Sequence, residues 1–347
     1  MRKLIITVIL AALLAGTVGA VEITAPPVPD AGMDSMPDQA QDFGAALLEI
    51  MGDALGRFRP DLREAAASCG AVLAAVVVLS VLSAFPGYRK GPAELAGTLL
   101  AAGLLLRRTN ALIALGADTV VQLSEYGRLL LPVMTGALAA HGGVTAAAAL
   151  YTGTAVFDAV LCTLVSKALV PMIYLFLALA SSAAALGDPV LKKLRDGIKW
   201  VVSWCLKTIL YVYTGYISIT GIISGTTDAQ LLKAAKLTIS GVVPVVGGIL
   251  SDASEAVLVS AGTVKNAAGM YGMLAVLAVW IGPFLQIGAH YLVLKALGIV
   301  CGVFEVKPVT DLIDDYSGAM GLLLAMTGAV CLMLIISTIC FMKGAGL

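Results

Sequence analysis

Long apolar runs separated by short polar intervals set the character of this chain. Cys69 to Phe85 carries no charge and stops at Pro86-Gly87. A helix of about 20 such residues crosses the ~30 Å hydrocarbon core of a bilayer. This run is therefore read as the first span. The next run, "LAGTLLAAGLLL", ends at Arg107-Arg108. It is short, and either spans by snorkelling or dips in and returns. Residues 118 to 128 are mixed and read as interfacial. From Thr145 to Leu186 the chain is apolar except at a few positions. Pro171 and the polar pair Ser166-Lys167 divide that length, which predicts two helices. Trp200 to Ile223, Ala268 to Phe304 (interrupted at Pro283) and Ala319 to Met342 are further apolar regions.

Two of these regions carry a finer pattern. Lys199, Ser203, Lys207, Thr214, Ser218 and Gly221 recur at helical steps and are expected to share one face. A lysine inside a span is costly unless its face meets protein or water. The stripe fits a bundle interior or an aqueous cavity, and equally a helix lying in the interface with its lysines snorkelling. In the last run Ser317, Gly321, Ala325 and Ala329 place a small residue at every fourth position. That spacing predicts a close-packing face.

The amino terminus reads differently. "MRKLIITVILAALLAGTVGA" has a basic start, a short apolar centre and small residues at Val18 and Ala20. It reads as a signal peptide over residues 1–20, cleaved after Ala20, with an uncleaved anchor as the alternative. Residues 21–66 then hold Pro26, Pro27, Pro29 and Pro37, with nine acidic and three basic residues. We read them as an extracytoplasmic linker followed by a short amphipathic helix over residues 43–58, with Leu47, Leu48, Met51 and Leu55 at helical spacing. The remaining 67–347 form the multi-pass domain.

Composition agrees with the pattern. The chain is 59% hydrophobic and 13% charged, with 37 glycines and no net charge. Soluble domains carry about 25% charged residues. The expected fold is all-α: a polytopic transmembrane bundle in the cell membrane. Basic residues orient it. Arg89-Lys90 and the segment "GDPVLKKLRDGIK" are expected in the cytoplasm. "EVKPVTDLIDDY", with four acids and one base, is expected on the other side.

Catalytic patterns are missing. His141 precedes Gly-Gly and His290 precedes Tyr-Leu, so there is no HExxH. No GxSxG and no GxxxxGK[ST] occur. The six cysteines form no CxxC and lie mostly in apolar runs, as packing residues do. We expect no enzyme, no metal and no cofactor, and nothing points to nucleic acid. Asp158 is the acid well inside an apolar run, and it is expected to share a face with Lys167, nine residues on. A buried pair, an ion path or one hydrogen-bonded acid would each fit.

Residues 240–257, "SGVVPVVGGILSDASEAV", hold the other unusual signal. The apolar part is too short to span, Pro244 breaks it, and Gly247-Gly248 permits a turn. Asp252 and Glu255 have the spacing of a helix N-cap and its third-position carboxylate. A broken or re-entrant segment is expected here, which requires burial in protein or a water-filled space.

Around this segment the chain resembles a known family. Lys236, seven residues, then "PVVGG" with Asp252-Ala three residues on, the run containing Lys265-Asn266, and Pro-Phe-Leu within the next span carry a resemblance to the stage III sporulation protein AE family of endospore-forming bacteria. The resemblance implies a mother-cell membrane protein around the engulfed forespore. It implies partners too: other stage III A-type membrane proteins, including a secretion-type ATPase and a ring-forming protein, and stage II sporulation protein Q from the forespore. The function implied is a non-catalytic subunit of a channel-like, secretion-like complex. The assembly candidates are Lys236, Pro244, Gly247, Gly248, Asp252, Glu255, Lys265, Asn266, Lys207 and Asp158. The alternative is a stand-alone secondary transporter using Asp158, Lys167 or Lys207.

Overall fold

The computed structural model describes residues 26–29, 32, 43–83, 85, 90–140, 144–223, 267–304 and 306–344. All regular structure among them is helical. We label the helices α1 (Phe43–Ser83), α2 (Lys90–Ala140), α3 (Val144–Leu164), α4 (Val170–Leu186), α5 (Pro189–Ile223), α6 (Ala267–Gly302) and α7 (Lys307–Gly344). A π-helical turn, Val165–Leu169, joins α3 to α4 without a reversal. Five stretches are long and apolar enough to cross a membrane: Phe43–Leu82, Gly91–Gly136, Ala147–Leu186, Gly269–Gly302 and Lys307–Met342.

α7 is the axis of the bundle. It packs against α2, α3, α4, α5 and α6, while α1 covers α6 and α2. From Tyr316 to Met342 nearly every apolar side chain of α7 is buried. The pairings fix directions. Lys192 meets Asp311 and Tyr213 meets Met333, so α5 runs parallel to α7. Ser181 meets Tyr316 and Ser337 meets Thr154, so the α3–α4 rod runs antiparallel to it. One end of the bundle therefore gathers the α1–α2, α4–α5 and α6–α7 connections. The other holds the α2–α3 connection, the end of α5 and the start of α6.

Several expectations change here. The amphipathic stretch 43–58 and the first span are one continuous helix, with Pro60 inside α1. α2 runs through Arg107-Arg108 and through residues 118–128, so there is neither a dip nor an interfacial break. Its 51 residues make a rod of about 77 Å, longer than any bilayer is thick. Arg108 is held there by Glu64 of α1 at 2.6 Å, which keeps its charge partnered between the two helices.

The 145–186 region is one rod rather than two helices. Leu161, Val165, Leu169 and Ile173 are all buried, at three successive steps of four. Each such step drifts about 40° from the period of 3.6 residues. The wider π turn takes up that drift. It also relieves Pro171, whose ring would clash with the carbonyl of residue 167 in a regular helix. Pro283 likewise lies inside an unbroken α6.

The two segments expected on opposite sides share one end. Lys192 Nζ lies 3.3 Å from Asp311, and Arg195 lies 2.6 Å from Asp315. Acidic residues carry little weight in orienting a membrane protein, so the acid count of 305–316 was a poor guide. The hairpin that starts α5 is built from three consecutive residues. Gly187 takes φ +70° and donates its N–H to Ala183 O. Asp188 then accepts from Val190 N–H at 2.7 Å, and Pro189 opens the helix.

Candidate functional site

Helices that pack this closely need small residues at the crossings. A methyl added at Gly127 of α2 would lie 2.7 Å from Leu334 Cδ2 of α7, and one at Gly153 of α3 would strike the Tyr216 ring of α5. Such approaches bring α2, α3, α5 and α7 together around a polar interior. On the small-residue face of α7, Gly321 packs against Tyr291 of α6.

In that interior Ser124 Oγ of α2 donates to Asp158 Oδ2 of α3 at 2.6 Å. Ser337 Oγ of α7 donates to Thr154 Oγ1 of α3 at 3.2 Å. Tyr213 OH of α5 donates to the Met333 carbonyl of α7 at 3.2 Å. The Tyr213 hydroxyl also meets the Thr154 and Ser337 hydroxyls, and its ring stands edge-on to Phe157, 5.4 Å between centroids. Asp158 is 1% exposed, and its Oδ1 has no hydrogen-bond partner among the described residues.

A second polar assembly lies at the end that gathers the three hairpins. Arg195 bonds both Asp196 and Asp315, and the Arg195 and Asp315 side chains are each 15% exposed. Burial opposes the Arg195 charge, yet Asp315 and Asp196 outweigh it, so the guanidinium is held above its usual range. Lys192–Asp311 and Lys295–Asp314, at 3.3 and 3.1 Å, extend these ion pairs across α5, α7 and α6. Trp200 and Trp204 stack on the outer face of α5, 6.2 Å between centroids.

Of the sequence candidates, Asp158 falls in the polar interior. Lys167 does not pair with it: nine steps of 100° place the two on opposite faces, and Lys167 is exposed on the π turn. Lys207 is half-buried on α5. The α5 stripe flanks the buried face rather than forming it. Thr214 is buried and Ser203 half-buried, while Lys199 is exposed. Lys236, Pro244, Gly247, Gly248, Asp252, Glu255, Lys265 and Asn266 lie outside the described residues, as do residues 1–20. Cys69, Cys301 and Cys331 are buried free thiols, and Cys340 is buried as well. His290 is buried without a partner for either ring nitrogen among the described residues.

Sequence reading missed Ser124, Thr154, Tyr213 and Ser337. The available signal was Ser337-Thr338 in an otherwise apolar stretch of the last helix, since an intramembrane hydroxyl needs a partner.

These features define a class: a multi-pass helical membrane protein built around one buried axial helix, with a polar interior. The stage III sporulation protein AE family matches residues 69–346, and the chain belongs to that family, a family of sporulation proteins. The match begins within α1 and takes in every helix after it. Stage III sporulation protein AE of Bacillus subtilis (strain 168) is 21% identical over 234 residues, which are 67% of this chain and 59% of that protein. The matched region thus spans about three fifths of that relative's length. No solved structure matches the chain.

Proposed function

We propose that this chain is a non-catalytic integral membrane subunit of the sporulation channel that links mother cell and forespore. The observation that carries the proposal is the family match over 69–346, which takes in the helical bundle from the second half of α1 onward. In this reading the chain sits in the mother-cell membrane around the forespore. Its partners are the other stage III A-type membrane proteins, among them a secretion-type ATPase and a ring-forming protein, together with stage II sporulation protein Q from the forespore. Forespore development after engulfment depends on it.

A bundle with a thoroughly buried axis supports a scaffold role, because its outer helices remain available to neighbours. The test is an affinity-tagged chain solubilised from sporulating cells after engulfment, beside a deletion strain. Recovery of the ATPase, the ring-forming protein and stage II sporulation protein Q with the tagged chain is expected. So is arrest of the deletion strain after engulfment. Normal spores from the deletion strain, or a chain recovered free of these partners, would overturn the proposal.

A further inference from the structure

The polar interior has more acceptors than donors. The Ser124 hydrogen goes to Asp158 Oδ2, the Ser337 hydrogen to Thr154 Oγ1, and the Tyr213 hydrogen to the Met333 carbonyl, which leaves the Thr154 hydrogen for the Tyr213 oxygen. Each of these hydroxyl oxygens keeps lone pairs. Asp158 and Thr154 are one turn apart on the same face of α3, so the carboxylate and the hydroxyl group are neighbours. Asp158 Oδ1 is buried with no donor to satisfy it among the described residues.

A carboxyl group at this depth is neutralised either by a counter-charge or by a proton. No described lysine or arginine nitrogen forms an ion pair with Asp158; Arg128, an exposed residue on α2, acts on it from beyond that range. Oxygens from α2, α3, α5 and α7, with one unit of negative charge and few hydrogens to give, are the complement of a small cation of one positive charge.

We propose that Asp158, Thr154, Ser124, Ser337 and Tyr213 form a binding site for a monovalent metal cation, Asp158 supplying the charged ligand. A divalent ion fits poorly, because such sites draw on several carboxylates and this one has a single acid. The bound ion neutralises Asp158 and ties α3 to α2, α5 and α7. The proposal is independent of the complex described above, and its test does not read sporulation.

Full-length protein in detergent is unfolded thermally in NaCl, KCl or choline chloride, at equal ionic strength and fixed pH. A midpoint that rises saturably in Na⁺ or K⁺ over choline is expected. Asp158→Asn should abolish that rise. Thr154→Val and Ser337→Ala should each raise the half-saturating concentration about tenfold or more. Ser182→Ala, at an exposed hydroxyl bonded to Ala178 O, should leave the response unchanged. If Asp158→Asn does not fold, the two hydroxyl variants decide. Equal midpoints in all three salts would overturn the site. So would a response that survives Asp158→Asn, or, when the series is repeated at a second pH, a midpoint that follows pH and ignores the cation, which would mean that a proton neutralises the acid.

Discussion

Arg195 shows what a single side chain does in this bundle. Its guanidinium joins α5 to α7 through Asp315, with both groups largely withdrawn from water. Removing one partner of such a pair leaves the other charge stranded, at about 3 kcal/mol, while replacing both with apolar residues of similar volume is close to neutral. Arg195→Met should therefore lower the thermal midpoint sharply, and Arg195→Met with Asp315→Leu should recover most of it. A double-mutant cycle in detergent measures this. Additive losses would show that the pair is solvated. Tyr213→Phe belongs to the same scale. It removes the hydroxyl that donates to Met333 O, for a loss of about 1 kcal/mol in the same assay.

At the scale of elements, the crossings and the π turn decide how helices fit. Gly127 leaves no room for a branched side chain beside Leu334. Gly127→Val should cost about 1–3 kcal/mol by pushing α2 from α7, and Leu334→Ala should restore part of it. Unchanged unfolding of Gly127→Val would mean that α2 and α7 do not meet there.

The π turn makes a sharper prediction, because it holds one residue more than a regular turn needs. Deleting Lys167 together with Pro171→Ala should leave an unbroken helix with the same buried face, and a monodisperse protein. Deleting Val160 instead turns everything before it by about 100° relative to α4 and drives Asp158 off Ser124. That variant should aggregate. Equal behaviour of the two deletions would remove the π turn from the account.

For the whole molecule, the arrangement of ends is the testable property. Asp188 and Val303 lie at one end and Gly136 near the other, although the acidic stretch after Val303 had suggested otherwise. With native cysteines removed, single cysteines at Asp188 and Val303 should label together with an impermeant thiol reagent applied from one face. A cysteine at Gly136 should label from the opposite face. Opposite labelling of Asp188 and Val303 would contradict the α5–α7 ion pairs.

How much of this was readable depends on the kind of interaction. Apolar runs marked the five stretches long enough to cross a bilayer, because crossing one constrains every residue of a span. The Gly187-Asp188-Pro189 hairpin was readable in principle, since each residue acts on its own backbone. Helix ends were harder. Arg107-Arg108 looked like a terminus because its counter-charge, Glu64, lies on a different helix. The same holds for the interior: nothing near Asp158 in sequence announces Ser124, 34 residues away, or Tyr213 and Ser337, farther still.

By itself, the sequence determined that this is an all-helical, multi-pass membrane protein of the stage III sporulation protein AE family. Hydropathy and motif spacing are local properties, and they survive without knowledge of neighbours. Tertiary structure alone decided that α7 is the axis, that the basic and acidic segments meet at one end, and that Asp158 faces hydroxyls rather than Lys167. Those outcomes depend on helix direction, on angular phase through the π turn, and on which small residues let two backbones approach. All three arise between elements, where a one-dimensional pattern has no coordinate.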